Sequence, residues 1–124
     1  MHFYKCEICS NIIELILDGN GRIDCCNQEM DKLTANTVDA AQEKHVPEVT
    51  VSGDKINIKI GSVIHPMIEE HHINFICLQT DKSFYRRALS VGEQPIANFN
   101  LSDNEKPIAA FEYCNLHGLW KKEL

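Results

Sequence analysis

No stretch of this sequence stays apolar for anything near the ~20 residues that cross a bilayer as a helix, so no membrane span is expected. The opening residues, Met1-His2-Phe3-Tyr4-Lys5, lack the basic and then apolar profile of a secretory signal. A cytoplasmic location is therefore the expectation. Positive charge is also scarce: 12 Lys and Arg stand against 18 Asp and Glu, a net charge of −6. No basic stripe offsets this excess, which argues against a nucleic-acid partner. An anionic substrate would need a local positive patch to draw it in. Internal repeats and low-complexity tracts are absent, and nothing in the composition signals disorder.

What is present is enough for a real core. The chain has 124 residues, 44% of them apolar, which suits one ordinary domain or a modest core with a small appendage. From Val46 onward the pattern is that of β-structure. Val49 and Val51 alternate, Ser52-Gly53-Asp54 turns the chain, and Lys55-Ile56-Asn57-Ile58-Lys59-Ile60 alternates with period two. Ile56, Ile58 and Ile60 are the expected core face. Further strands are expected at Ile73 to Gln79, Phe84 to Leu89, Ile96 to Leu101 and Ile108 to Tyr113, with turn signals between them. Short strands at this spacing predict a β-sandwich. Residues 31–44 are polar and read as a connector, with a helical turn around Val38 to Gln42.

The six cysteines carry more information than their number. In a cytosolic chain they point to metal or redox chemistry rather than to a disulfide framework. Cys6-Glu7-Ile8-Cys9 is a C-x2-C knuckle, and Cys25-Cys26 follows after 15 intervening residues. Between them Ile12-Ile13-Glu14-Leu15-Ile16-Leu17 is β-prone and Asp18-Gly19-Asn20-Gly21 is a turn signal. Together they read as a short hairpin closed by metal ligands, and a module this small needs such a staple. Four thiolates suit tetrahedral zinc or iron. A structural zinc ribbon would normally repeat C-x2-C in its second pair, whereas here the pair is adjacent.

A second group lies in the β region. His45 opens it in Glu43-Lys44-His45-Val46-Pro47, and His65 sits in Ile64-His65-Pro66-Met67. His71-His72 precedes the strand at Ile73, and Cys114-Asn115-Leu116-His117-Gly118 follows the strand at Ile108. These positions are strand ends and loops, where β-sandwiches carry their sites. Imidazole with one thiolate suits iron, zinc or copper. Cys77 falls within a strand, on a face expected to include Ile73 and Phe75, and reads as a buried, inert thiol.

Both groups resemble one family. Tyr4-Lys5-Cys6-Glu7-Ile8-Cys9-Ser10-Asn11-Ile12 with Cys25-Cys26 is similar to the desulforedoxin module of desulfoferrodoxins. Glu43-Lys44-His45, His65-Pro66, His71 and Cys114-Asn115-Leu116-His117-Gly118 resemble the superoxide reductase domain shared with neelaredoxins. The resemblance implies an all-β chain: a desulforedoxin-like FeS4 module over 1–36, then an immunoglobulin-like β-sandwich over 37–124. It implies two mononuclear irons, one held by Cys6, Cys9, Cys25 and Cys26. The other would have His45, His65, His71 and His117 in a plane and Cys114 as the axial ligand, with the opposite position open to superoxide. The offset from His65 selects His71 over its neighbour His72. Lys44 would draw in the anion, and Glu43 would be the carboxylate that takes the open position in the oxidised resting state. The implied reaction is one-electron reduction of superoxide to hydrogen peroxide without dioxygen release. Electrons would come from rubredoxin or a similar carrier, and a homodimer is implied. A non-catalytic iron electron-transfer protein and a structural zinc protein are the competing readings.

Overall fold

The computed structural model describes residues 1–37 and 45–124. The helical turn expected around Val38 to Gln42 lies outside the described residues. Among the described residues all regular structure is β-strand, in antiparallel pairs, as the all-β expectation required. The chain divides into two compact units, Met1–Thr34 and Ala35–Leu124.

In the first unit β1 (His2–Lys5) is the middle strand, paired on one side with β2 (Ile12–Leu15) and on the other with β5 (Asp31–Lys32). This corrects the sequence-based hairpin. The Ile12 run pairs backward onto β1, in register from His2↔Leu15 to Lys5↔Ile12, and not across the Asp18-to-Gly21 turn. The strand stops at Leu15, leaving Ile16 and Leu17 almost fully exposed. The turn that closes this hairpin is the knuckle itself, with Cys6 N donating to Asn11 O and Ser10 N donating to Cys6 O, both at 2.9 Å. The expected connector is likewise corrected at its start, because Asp31 and Lys32 extend the sheet against Lys5 and Tyr4. Phe3, Cys6 and Met30 form the small buried interior.

The second unit is a sandwich of two antiparallel sheets. One has the order β10 (Ile96–Asn100), β7 (Lys55–Ile60), β6 (Pro47–Ser52). The other runs β12 (Gly118–Glu123), β11 (Pro107–Cys114), β8 (Ile73–Thr80), β9 (Phe84–Ala88). Strand β12 was not anticipated. Its Leu119 and Trp120 are buried, but Lys121, Lys122 and Glu123 mask the apolar pattern. Ile56, Ile58, Ile60 and Ala97 of one sheet meet Ile73, Ile76, Leu78, Ala110 and Cys114 of the other in one core. Burying each large aliphatic side chain contributes about 1.5–3 kcal/mol, so β7 alone anchors three such contacts.

One irregularity bears on the site. Strand β8 pairs Phe75 with Tyr113 and then Ile73 with Cys114, so Asn74 is an extra residue. A bulge of this kind reverses which face the following side chain takes. Ile73 consequently joins Ile76 and Leu78 in the core instead of sharing the face of Cys77, which corrects the expected alternation. Cys77 is fully buried, as anticipated.

Candidate metal centres

The four cysteines of the first unit lie with their sulfurs within 4.8 Å of one another. Local backbone geometry explains how adjacent residues share one centre. Strands β3 (Asp24–Cys25) and β4 (Gln28–Glu29) pair as Asp24↔Glu29 and Cys25↔Gln28, leaving Cys26-Asn27 as a two-residue hairpin loop. Both loop residues have positive φ, 52° and 62°, the condition of a type I′ turn. That turn swings Cys26 out of the strand alternation, so its sulfur lies 4.0 Å from that of Cys25. The Cys9 and Cys25 sulfurs are 3.6 Å apart. Sulfurs placed ~2.3 Å from one tetrahedral ion are separated by roughly 3.8 Å, so the cluster fits a single ion without rearrangement. Its electrostatics agree. The Cys9 backbone N–H lowers the Cys6 thiol to about 7, whereas the neighbouring sulfurs, Cys9 first, push Cys26 up to about 12. Thiols this close resist ionising together unless a cation lies among them. Asn11 Nδ2 donates to the Cys25 sulfur at 3.7 Å.

The second group gathers at one end of the sandwich. His45 precedes β6, His65 and His71 lie in the β7–β8 connection, and Cys114 ends β11 with His117 in the loop to β12. His45, His65, His71 and Cys114 present ligand atoms within 4.8 Å of one another. His117 joins them, with its Nδ1 3.8 Å from the Cys114 sulfur. Taken in the order 45, 65, 71, 117 and back to 45, the imidazole centroids are 4.7, 4.6, 5.1 and 4.9 Å apart. The 45–71 diagonal is 6.3 Å. Four near-equal sides and a longer diagonal describe a roughly square ring. Cys114 is fully buried in the core, His45 and His65 are buried, His71 is half-buried and His117 is exposed. Among the described residues the ring is buried at Cys114, His45 and His65, and its more exposed members are His71 and His117. Four imidazoles and one thiolate are a donor set that suits iron, and the ligand atoms of His45, His65, His71 and Cys114 are spaced to share one ion.

Each ligand-bearing segment has a local cause. Cys114↔Gly118 closes a three-residue hairpin loop, and Gly118 has a φ of +83°, a conformation that glycine adopts without strain. The loop returns His117 to the same end as Cys114. Ile68 and His71 exchange backbone hydrogen bonds at 3.0 and 3.1 Å, a tight turn that presents His71. The Nδ1 of His65 lies 2.8 Å from the Pro66 carbonyl. A carbonyl only accepts, so Nδ1 carries the proton and Nε2 the lone pair. His72 does not share the cluster. Its Nδ1 donates to Ile68 O at 2.9 Å and its Nε2 accepts from Asn74 Nδ2 at 3.2 Å.

Glu43 and Lys44, the residues expected to gate and steer, lie outside the described residues. Three surrounding residues were given no role from sequence, although Asn115 lies within the Cys114-to-Gly118 motif. Glu112 is fully buried, with Oε1 3.7 Å from His45 Nδ1. A glutamate within the apolar run Ile108 to Tyr113 was the signal that could have found it. Trp120 stacks on His45, and Asn115 bridges two loops. Trp120 carries no sequence signal beyond its proximity to the ligands, whereas Asn115 is part of the motif that carries the family resemblance.

The family model described as desulfoferrodoxin matches residues 37–123, and that of the desulfoferrodoxin N-terminal domain matches residues 1–33. A desulfoferrodoxin of Syntrophotalea carbinolica is 48% identical over 99% of this chain and 96% of its own length. A superoxide reductase of Pyrococcus horikoshii is 34% identical over 77% of this chain and 97% of its own. The crystal structure of the superoxide reductase from Treponema pallidum superposes with a TM-score of 0.84 at 31% identity, covering 98% of this chain and 97% of that one. This chain belongs to the desulfoferrodoxin family.

Proposed function

We propose that the chain is a superoxide reductase carrying two mononuclear irons, an Fe(Cys)4 centre in a module over residues 1–36 and an Fe(His)4(Cys) centre in a catalytic domain over 37–124. The observation that carries the reading is the ring of four imidazoles gathered with one core-buried thiol, five donors that leave a sixth position on an octahedral iron. A structural metal site closes its coordination shell, whereas a catalytic one keeps a position for substrate. An iron held by these residues would supply, in its ferrous form, the one electron that with two protons converts superoxide to hydrogen peroxide. Cys6, Cys9, Cys25 and Cys26 hold the first iron; His45, His65, His71, His117 and Cys114 hold the second.

The protein's own groups set the direction of this chemistry. Cys114, as a thiolate ligand, would donate electron density to the iron and favour its oxidised form. That preference opposes the reverse reaction, in which superoxide would be oxidised to dioxygen. The Pro66 carbonyl fixes the His65 tautomer. Lys44 would draw the anion toward an otherwise acidic protein, and Glu43 would supply the carboxylate that takes the sixth position in the oxidised resting state.

Rubredoxin or a similar small carrier is the proposed electron donor, and the proposed assembly is a homodimer. Ligand thiolates need a compartment that keeps them reduced, which supports a cytoplasmic location. The Pyrococcus horikoshii superoxide reductase aligns over 97% of its own length with only 77% of this chain, which supports a catalytic domain that works without the N-terminal module. The FeS4 module is therefore assigned no essential catalytic role.

The test is a visible absorption spectrum recorded during stepwise oxidation of anaerobically purified protein. Two independent thiolate–iron transitions support the two-centre reading. A single rubredoxin-like transition removes the second iron, and colourless protein holding two zincs supports a structural role instead.

A further inference from the structure

The second centre is assembled from loops that approach from different strands, and one side chain ties two of them together. Asn115 lies between Cys114 and His117 in the β11–β12 loop. Its backbone N–H donates to the His72 carbonyl at 3.1 Å. Its side-chain Oδ1 accepts from the His72 N–H at 2.9 Å, and its Nδ2 donates to the Glu70 carbonyl at 3.1 Å. The amide orientation is unambiguous, because a backbone N–H only donates and a carbonyl only accepts.

These three bonds continue the β8–β11 ladder one step past its last backbone pair, Ile73↔Cys114. The step is needed because the chain turns away on both sides: at Ile68 to His71 on one and at Asn115 to His117 on the other. Glu70 and His72 flank His71 in the chain, so a single amide grips the backbone on both sides of that imidazole. The same residue is covalently next to Cys114 and two positions before His117. Asn115 therefore links the His71 segment directly to the loop that carries the other two ligands.

We infer that Asn115 is a positioning residue, which sets the placement of His71 relative to Cys114 and His117 without touching the metal or the substrate. This inference rests on the proposed iron site. Loss of the amide frees the His71 segment to adopt more than one placement, which predicts heterogeneous coordination and weaker retention. Residues that orient metal ligands typically account for roughly 10–100-fold in metal affinity.

The experiment compares the iron-loaded wild type with Asn115→Leu and Asn115→Asp. The readouts are the EPR and visible spectra of the oxidised second centre and the rate of iron loss to a chelator, with the FeS4 band as internal control. Asn115→Leu removes both side-chain bonds and is expected to split or broaden the second-centre signals and to speed iron loss at least roughly tenfold. Asn115→Asp keeps an acceptor for the His72 N–H and loses the donor to the Glu70 carbonyl, so it is expected to fall between the two. Wild-type spectra and iron loss in both variants would overturn the positioning role. A wild type that binds no iron at the second centre would instead sink the proposed function on which the inference rests.

Discussion

The Trp120 indole lies nearly parallel to the His45 imidazole, with centroids 4.8 Å apart and planes inclined by 17°, while its Nε1 donates to the His117 carbonyl at 3.1 Å. One buried side chain on β12 thus supports two corners of the imidazole square. Trp120→Phe keeps an aromatic face against His45 and loses the hydrogen bond, a cost of about 1 kcal/mol. Trp120→Ala leaves a cavity and is expected to lose about 3–5 kcal/mol. Chemical denaturation of the two variants checks the order, and the second-centre spectrum of Trp120→Phe is expected to remain close to wild type.

The two centres are expected to be separable. Cys114→Ser removes the only thiolate of the second group and is expected to abolish its sulfur-to-iron band and most superoxide reduction, leaving the FeS4 band intact. Cys9→Ser is expected to do the converse, with superoxide reduction by a chemical donor preserved. Visible spectra and kinetics on both proteins check this. Wild-type turnover in Cys114→Ser would remove the axial assignment.

Asn11 provides an N–H···S contact to Cys25. Such bonds stabilise the more negative, reduced form of an iron–thiolate centre and raise its potential. Asn11→Leu is therefore expected to lower the FeS4 midpoint potential. A redox titration followed at the FeS4 band measures it, and an unchanged potential would show that the contact carries no electronic weight.

Away from both centres, Glu105 is buried and accepts from the Thr80 hydroxyl, the Ser102 N–H and the Tyr85 hydroxyl. These donors, Thr80 first, hold its carboxyl down to about 2, against the opposing effect of burial. A carboxyl lowered by folding stabilises the fold above its unfolded pKa, and the contribution fades as pH falls from about 4.5 toward about 2. Glu105→Gln is expected to flatten this part of the stability profile. Unfolding midpoints of metal-free wild type and variant across that range provide the check, and parallel profiles would contradict it.

Lys44→Ala is expected to slow the bimolecular reaction with superoxide and to weaken its salt dependence, since the chain's net charge of −6 otherwise repels an anion. Stopped-flow rates across ionic strength test it. An unchanged rate at low salt would remove Lys44 from the steering role.

Much of this was legible in the sequence where a local pattern carried it. The period-two run from Lys55 to Ile60 marked β7 and its core face, and the compact Cys and His motifs marked two groups that cluster in space. What escaped depended on pairing between distant segments. Strand β1 is only four residues long and half polar, and it exists because the Ile12 run pairs back onto it. The bulge at Asn74 arises from register against β11, and it alone decides that Ile73 faces the core. Trp120, Glu112 and Asn115 support the second group through contacts that only the closed sandwich creates.

The most direct test of the central claim is the product balance when a known pulse of superoxide meets the anaerobic, reduced protein. The account predicts one hydrogen peroxide for each superoxide consumed, oxidation of the second centre in step, and no dioxygen. Release of dioxygen with only half as much peroxide would identify a dismutase, and superoxide decay at the uncatalysed rate would show that the centre does not react with it at all.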